Sequence, residues 1–181
     1  MMRTTHDMAA PLDRARRAVH GGAKIRLSFA LIGLLWLRPA WAEPPVWQRP
    51  VAAGCVSSGF GWRHQVGPRA PAGMHLGIDL PAPAGEWVRA AAEGEVVEIR
   101  KHGVGGLFVV IRHPDGWQSL YAHLGSVAPA LANGQRHVSA GERIGRIGRS
   151  GITYGTHLYF QLSQLGEAVD PTPLLALTPC P

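Results

Sequence analysis

The chain has 181 residues, enough for one ordinary domain, and 46% of them are hydrophobic, which excludes an intrinsically disordered protein. Eighteen lysines and arginines against twelve aspartates and glutamates give a net charge of +6. Residues 1–42 carry +5 of this charge and residues 43–181 carry +1, so the body of the chain lacks the basic run that nucleic-acid binding needs, and we expect no nucleic-acid partner.

Residues 1–42 are typical of an export signal peptide with an extended basic n-region. Lys24 and Arg26 precede an apolar run at 27–37, which is too short for a bilayer span of about 20 residues. Ala40-Trp41-Ala42 then supplies the small residues of a cleavage site. The sequence predicts cleavage after Ala42, export to the periplasm or cell envelope, and no stable membrane span afterwards. An uncleaved membrane anchor or a buried core helix is the alternative.

The chain contains two cysteines, Cys55 and Cys180, and both follow the predicted cleavage site. An oxidising compartment permits a disulfide, which would tie the first strand to the C-terminal tail. Two unpaired thiols are the alternative, because the sequence does not give the Cα separation that a disulfide requires.

The mature chain reads as a turn-dense β protein. Residues 43–50 form a proline-rich, extended lead-in. The 23 glycines and 15 prolines cut the rest into short β runs, and no segment has a clear helical period. The predicted strands are 96–100, 107–112, 119–124, 138–139, 143–147 and 157–163. We therefore predict one all-β domain at 51–175 with a tail at 176–181.

Two segments carry side chains suited to chemistry. His75 and Asp79 are four residues apart, so on an extended strand they share a face, where an imidazole and a carboxylate suit zinc. A hydrogen-bonded His–Asp pair at a strand end is the structural alternative. In the second segment, His157, Tyr159 and Gln161 alternate with apolar residues, which predicts a strand with one polar cleft side. An ordinary half-buried strand is the alternative there.

Several ordered motifs together resemble the lysostaphin/LytM-type zinc metallopeptidases that act on peptidoglycan. The motifs run from SSGFGWR at 57–63 through HLGID at 75–79, EGEV at 93–96 and YAHL at 121–124, then to the glycine-rich stretch 141–151, HLYFQL at 157–162 and Val-Asp-Pro at 169–171. The resemblance covers about 51–175. It implies an all-β, lysostaphin-type antiparallel domain with a narrow groove that holds the peptide part of peptidoglycan.

The resemblance also implies roles for individual residues. One Zn²⁺ would be held by His75, by Asp79 and by the second histidine of an H-x-H motif, a position that Tyr159 occupies in this chain. His123 and His157 would assist catalysis. A neutral phenol, whose ordinary pKa is near 10, is a poor zinc ligand. A zinc bound nearby can lower that pKa, so Tyr159 remains a candidate ligand in its ionised form.

Two functions follow from this pattern. The first is an exported zinc endopeptidase that hydrolyses peptide bonds of peptidoglycan. The second is a catalytically degenerate LytM-like module that binds peptidoglycan or activates a partner wall hydrolase. The retention of His75, Asp79, His123 and His157 favours the first function. Tyr159 favours the second, because catalytic zinc sites normally have three protein ligands.

Overall fold

The computed structural model describes residues 45–52, 54–65 and 72–181. The predicted signal peptide at 1–42 lies outside these residues. Within the described part of the chain, no helix has both the length and the apolar character needed to cross a membrane.

The described residues are mostly strands joined by tight turns. The strands are β1 (Cys55–Val56), β2 (Gly61–Arg63), β3 (Gly73–His75), β4 (Ile78–Pro81), β5 (Trp87–Arg89), β6 (Gly94–His102), β7 (Gly106–Arg112), β8 (Trp117–Val127), β9 (His137–Val138), β10 (Arg143–Ile147), β11 (His157–Gln164), β12 (Glu167–Val169) and β13 (Thr178–Pro179). Two one-turn helices complete the chain, α1 (Pro129–Ala132) and α2 (Pro171–Leu174).

A nine-stranded antiparallel sheet forms the body of the domain. Its continuous order is β12-β11-β8-β7-β6-β9. Strand β10 joins β5 to the later part of β8, and β4 pairs with the first half of β11. The prediction of an all-β antiparallel fold is confirmed, and all six predicted strands are present.

The hydrophobic pattern of the strands explains why this sheet forms. In β11, Leu158, Phe160 and Leu162 are fully buried while the residues between them are only half-buried, as the period of two requires. The buried side chains of β7 and β8 pack on the same core. Strand β11 therefore presents its polar side away from the core, as the sequence predicts.

The segment 75–79 differs from its predicted form. We expected His75 and Asp79 on one extended strand, but His75 ends β3 and Asp79 lies in β4. Gly77 lies between the two strands and packs directly against the backbone of β11, where a Cβ would collide with the Phe160 carbonyl oxygen. The chain breaks there because only glycine permits that approach.

The two cysteines are joined, with a Cα–Cα distance of 4.8 Å, so the disulfide prediction is confirmed. The bond links β1 to the parallel strand β13. Directly after β1, the Ser57 N–H donates to the Asp79 carbonyl at 2.9 Å, and the Asp79 N–H donates to the Ser58 carbonyl at 2.9 Å. The disulfide therefore anchors the segment that holds the backbone of Asp79.

Tyr121 of the YAHL motif has a structural role. Its buried hydroxyl accepts the Ala91 N–H at 2.8 Å and lies 2.9 Å from the Ser119 hydroxyl. Ser119 in turn lies 2.7 Å from His113 Nε2, and His113 Nδ1 donates to the Glu93 carbonyl at 2.6 Å. This buried chain of hydrogen bonds joins β8 to the loop between β5 and β6.

Removing the disulfide should destabilise the fold. A chemical reductant, or the paired change Cys55→Ser and Cys180→Ser, should lower the free energy of unfolding by about 2–5 kcal/mol, because the unfolded chain loses a cross-link closing a loop with a sequence separation of 125. Urea unfolding with and without reductant measures the effect, and the serine variant should not respond to reductant. Equal unfolding midpoints for the oxidised and reduced protein would contradict this role.

The fold should also lose stability in mild acid through His113. Burial lowers the pKa of His113 below its ordinary 6.5, only partly offset by the bond to the Glu93 carbonyl. The unfolded chain therefore binds a proton near pH 6.5 that the folded chain binds only at lower pH, so stability falls as pH drops below about 6.5. His113→Gln should reduce this slope in urea unfolding between about pH 7 and 5. The exposed His137→Gln is the matched control for the loss of one imidazole, and an unchanged slope in His113→Gln would refute the assignment.

Candidate active site

The structure brings the five predicted site residues together on the polar side of the sheet. His75 ends β3, Asp79 lies in β4, His123 lies in β8, and His157 and Tyr159 lie in β11. The imidazole centroids of His123 and His157 are 4.8 Å apart, and the rings of His75 and Tyr159 are 5.3 Å apart. Three sequence motifs thus converge on one site.

Strand register places Tyr159 at the centre of this site. It is the direct cross-strand neighbour of Asp79 on one side and of Ala122 on the other. Directly opposed residues in an antiparallel sheet have Cβ atoms about 4.5–5.5 Å apart. Tyr159 is therefore the residue of β11 directly opposite Asp79.

Asp79 supplies the negative charge of the site, and its side chain is only 14% exposed. His75 Nε2 and His157 Nε2 each lie 3.5 Å from Asp79 Oδ1. The guanidinium of Arg63 approaches the other oxygen, with Nη1 3.7 Å from Oδ2. One carboxylate is thus flanked by two imidazoles and one permanent cation.

Backbone carbonyls orient all three imidazoles. The His75 Nδ1 lies 2.8 Å from the Gly59 carbonyl oxygen, and the His123 Nδ1 lies 2.9 Å from the Ser150 carbonyl oxygen. The His157 Nδ1 lies 3.2 Å from the Gly155 carbonyl oxygen. Because a carbonyl can only accept, each Nδ1 carries a proton, and in the neutral ring each Nε2 is then an acceptor.

His123 sits in a strained backbone conformation that the surrounding loops stabilise. Its φ is 63°, in the left-handed region that costs a non-glycine residue about 1–2 kcal/mol. The Ser150 hydroxyl accepts the Leu107 N–H and donates to the Leu124 carbonyl, which fixes the carbonyl that His123 contacts. Burial lowers the pKa of His123, and the Ser150 carbonyl offsets part of this. The ring is therefore held neutral and fixed in orientation.

The Tyr159 hydroxyl is engaged away from Asp79. It donates to Gln161 Oε1 at 2.8 Å, two residues along the same face of β11. Burial, and then the Asp79 carboxylate, raise the pKa of Tyr159 to about 12, although Arg63 opposes the shift. A phenol with this pKa keeps its proton at neutral pH, and that proton is directed to Gln161.

The donors present fill only part of a zinc site. Ligands bound at about 2.0–2.1 Å in a tetrahedron lie about 3.3–3.4 Å apart, so the 3.5 Å spacing of His75 Nε2 and Asp79 Oδ1 suits the two ligand positions that the resemblance assigns to them. His157 Nε2 lies at the same distance from Asp79 Oδ1, although the resemblance gives it a catalytic role. The expected third donor, Tyr159, is a neutral phenol bonded to Gln161. Across residues 45–52, 54–65 and 72–181, no three histidine, cysteine, aspartate or glutamate side chains are arranged to hold a metal ion. The residues do not fit the zinc site that the resemblance implies.

Sequence reasoning missed the groups that fix the site residues. Arg63 and Gly59 both belong to the motif SSGFGWR, but only the fold shows that one faces Asp79 and the other orients His75. Ser150 lies in the glycine-rich stretch 141–151, and its role depends on a contact across 27 residues of sequence with His123. Gln161 shared a predicted face with Tyr159, which was the one available indication of their hydrogen bond.

Comparison with known proteins places the chain in a family and agrees with this fold. The sequence model described as Peptidase family M23 matches residues 73–171, more than half of the chain. The DD-carboxypeptidase/endopeptidase Mpg of Neisseria meningitidis is 37% identical over 138 residues, covering 76% of this chain and 29% of Mpg. The peptidoglycan DD-endopeptidase ShyA of Vibrio cholerae is 36% identical over 96 residues, covering 53% of this chain and 22% of ShyA. The chain thus spans less than a third of either relative.

The fold is also found among solved structures. The catalytic domain of the antimicrobial peptidase lysostaphin from Staphylococcus simulans superposes with a TM-score of 0.55 at 28% identity. The match covers 65% of this chain and 89% of that domain. The described sheet is therefore of the lysostaphin type.

The position of Tyr159 should depend on Gly77. An alanine Cβ at Gly77 would collide with the Phe160 carbonyl and lie 2.9 Å from Tyr159 Cζ. Gly77→Ala should therefore lower the free energy of unfolding by about 1–3 kcal/mol and alter the near-ultraviolet circular dichroism of the tyrosine. The control is Gly73→Ala, whose Cβ would meet no atom of the described residues within 4 Å. Equal stability of the two variants would show that this close approach does not constrain the site.

Proposed function

The chain belongs to peptidase family M23, and we propose that it is an exported cell-wall protein whose domain binds the peptide part of peptidoglycan without hydrolysing it. The named activity of ShyA supports the choice of ligand. We assign binding to the domain at 51–175, which follows a signal peptide at 1–42 and a lead-in at 43–50 and precedes a tail at 176–181. The basic, apolar and small-residue order of the leader supports export.

One observation carries the proposal that hydrolysis is absent. The Tyr159 hydroxyl, at the position where the resemblance implies the third zinc ligand, donates to Gln161 instead of being an ionised donor. Its burial beside a carboxylate disfavours the phenolate that zinc would need. Two protein donors are fewer than the three that catalytic zinc sites normally have.

The remaining site residues then serve as a polar binding surface. His75 and His123 are buried, and the side chains of Asp79 and His157 are 14% and 15% exposed, so they offer acceptors on a mostly buried polar face whose shape is fixed by backbone contacts. An extended peptide presents N–H donors at regular intervals, which suits such a face. The same binding role would also allow the domain to bring a partner wall hydrolase to peptidoglycan.

A zinc endopeptidase is the second candidate, and a specific observation favours it. Each imidazole donates its Nδ1 proton to a backbone carbonyl, which is how metal-binding histidines are oriented. In that case zinc would require a third donor in place of the Tyr159 phenol.

Zinc content and wall turnover, measured together on the purified protein, separate the two candidates. We expect wild type to sediment with purified peptidoglycan sacculi, to contain far less than one zinc per chain and to release no peptide fragments. Tyr159→His should raise zinc affinity by more than about 10–100-fold. That is the range over which affinity falls when a group that only hydrogen-bonds to a ligand is lost, and a direct ligand should contribute more. The exposed Tyr154→His makes the same chemical change elsewhere and should not raise zinc affinity.

Stoichiometric zinc in wild type, together with cleavage that is lost in His75→Ala, would overturn the proposal and establish the endopeptidase. Failure of wild type to sediment with sacculi would overturn peptidoglycan binding itself.

A further inference from the structure

Four arginines form a patch around Trp87, at the β5–β10 edge of the main sheet. We call Arg49, Arg89, Arg143 and Arg146 the arginine patch. The guanidinium carbon of Arg146 lies 3.6 Å from the centroid of the Trp87 ring, and that of Arg143 lies 4.8 Å from it. Arg49 and Arg89 line the same shallow cavity of about 370 Å³ as Trp87. Residues from three separate segments thus meet at one indole ring.

The strand pairing brings like charges together. Arg89 and Arg143 are direct cross-strand partners in β5 and β10. Like charges directly opposite one another in a sheet destabilise it, and the Trp87 ring offsets only part of this by cation–π attraction. Repulsion between Arg89 and Arg143 therefore destabilises the sheet locally, so a contribution to folding does not explain why the two arginines are opposed.

Carboxylates do not neutralise the patch. Among the residues that the structure describes, the exposed arginines Arg100 and Arg112 pair with Glu98 and Glu95, at 3.0 and 3.5 Å, whereas none of the four patch arginines pairs with a carboxylate. Two carboxylates lie nearby. Glu86 lines the same cavity as Arg49 and Arg89 and accepts the Ala52 N–H, and Glu142 accepts the Ser139 N–H and a side-chain proton of Gln135. Both keep their negative charge, so four arginines and two carboxylates leave an excess of two positive charges.

Backbone contacts hold three of the guanidiniums in fixed positions. Arg89 donates to the Gly141 carbonyl at 2.9 Å, Arg146 to the Gly85 carbonyl at 2.7 Å, and Arg49 to the Ala176 carbonyl at 2.8 Å. The Arg143 guanidinium lies over the Trp87 ring. A guanidinium that is fixed in place but lacks an anionic partner presents its remaining N–H groups for carboxylate binding.

We propose that the arginine patch is a second contact surface for peptidoglycan, which binds the free carboxylates of neighbouring stem peptides. This inference rests on the proposed function, because it assigns the patch to the same polymer that the site binds. A polymer with repeated carboxylates can engage both surfaces at once, so weak contacts at the patch strengthen the binding of the whole domain.

The test compares variants of the purified full chain in sedimentation with peptidoglycan sacculi at about 0.01 M salt. Arg143→Gln, and Arg143→Gln with Arg146→Gln, should weaken binding by roughly three- to tenfold. Arg143→Lys keeps the charge and should retain most of the binding. The matched control, Arg100→Gln with Arg112→Gln, removes the same charge from paired arginines and should bind like wild type.

Two further experiments identify the chemical group that the arginine patch binds. Sacculi whose carboxylates have been converted to amides should bind wild type and the patch variants equally. The difference between wild type and patch variants should also vanish at about 1 M salt, where charges are screened beyond about 3 Å.

The outcomes separate this inference from the proposed function. If wild type sediments with sacculi and the patch variants bind equally well, the inference fails and the proposed function stands. If the patch variants instead lose binding only to phosphatidylglycerol vesicles, the patch recognises an anionic lipid surface and the inference is overturned. If wild type does not bind sacculi at all, both fail. Thermal unfolding of each variant identifies any loss of binding that comes from misfolding.

Discussion

The position of the Asp79 carboxylate is the constraint on which the site depends. Strand β4 is held on one side by β11 and on the other by the backbone of Ser57 and Ser58. The same segment is anchored to the C-terminal strand by the disulfide. These contacts fix the position of Asp79, so the side chains that face it must accommodate a negative charge at that place. Two imidazoles and Arg63 do so at distances of 3.5–3.7 Å.

Tyr159 changes what this fixed charge can do. At the position directly opposite Asp79, an imidazole would offer a lone pair, whereas a buried phenol offers a proton and a bulky ring. Gln161, on the same face, accepts that proton. The two side chains satisfy each other, and Arg63 is the permanent cation that faces the charge of Asp79. The Tyr159 phenol is thus satisfied within the protein, while the imidazole Nε2 atoms remain as acceptors.

The fold was largely predictable from sequence, because its determinants are local. The alternation of Leu158, Phe160 and Leu162 with polar residues predicted β11 and its cleft side, and the turn at 113–116 predicted the β7–β8 hairpin. The break between β3 and β4 was not predictable, since it depends on the contact of Gly77 with Phe160 across the sheet. The left-handed conformation of His123 likewise follows from the loop around Ser150, far away in sequence. The arginine patch was not predictable from the sequence, because its members come from three separate segments of a chain whose charge after residue 42 is nearly neutral.

Nitrogen-15 NMR of the histidine side chains tests the central claim, that the site is a set of oriented acceptors lacking a third zinc donor. The account predicts that His75, His123 and His157 all carry their proton on Nδ1 at neutral pH. It further predicts that one equivalent of zinc leaves their Nε2 resonances unchanged. A saturable shift of the His75 or His157 Nε2 resonance at one equivalent of zinc would contradict the account and establish a metal site around Asp79.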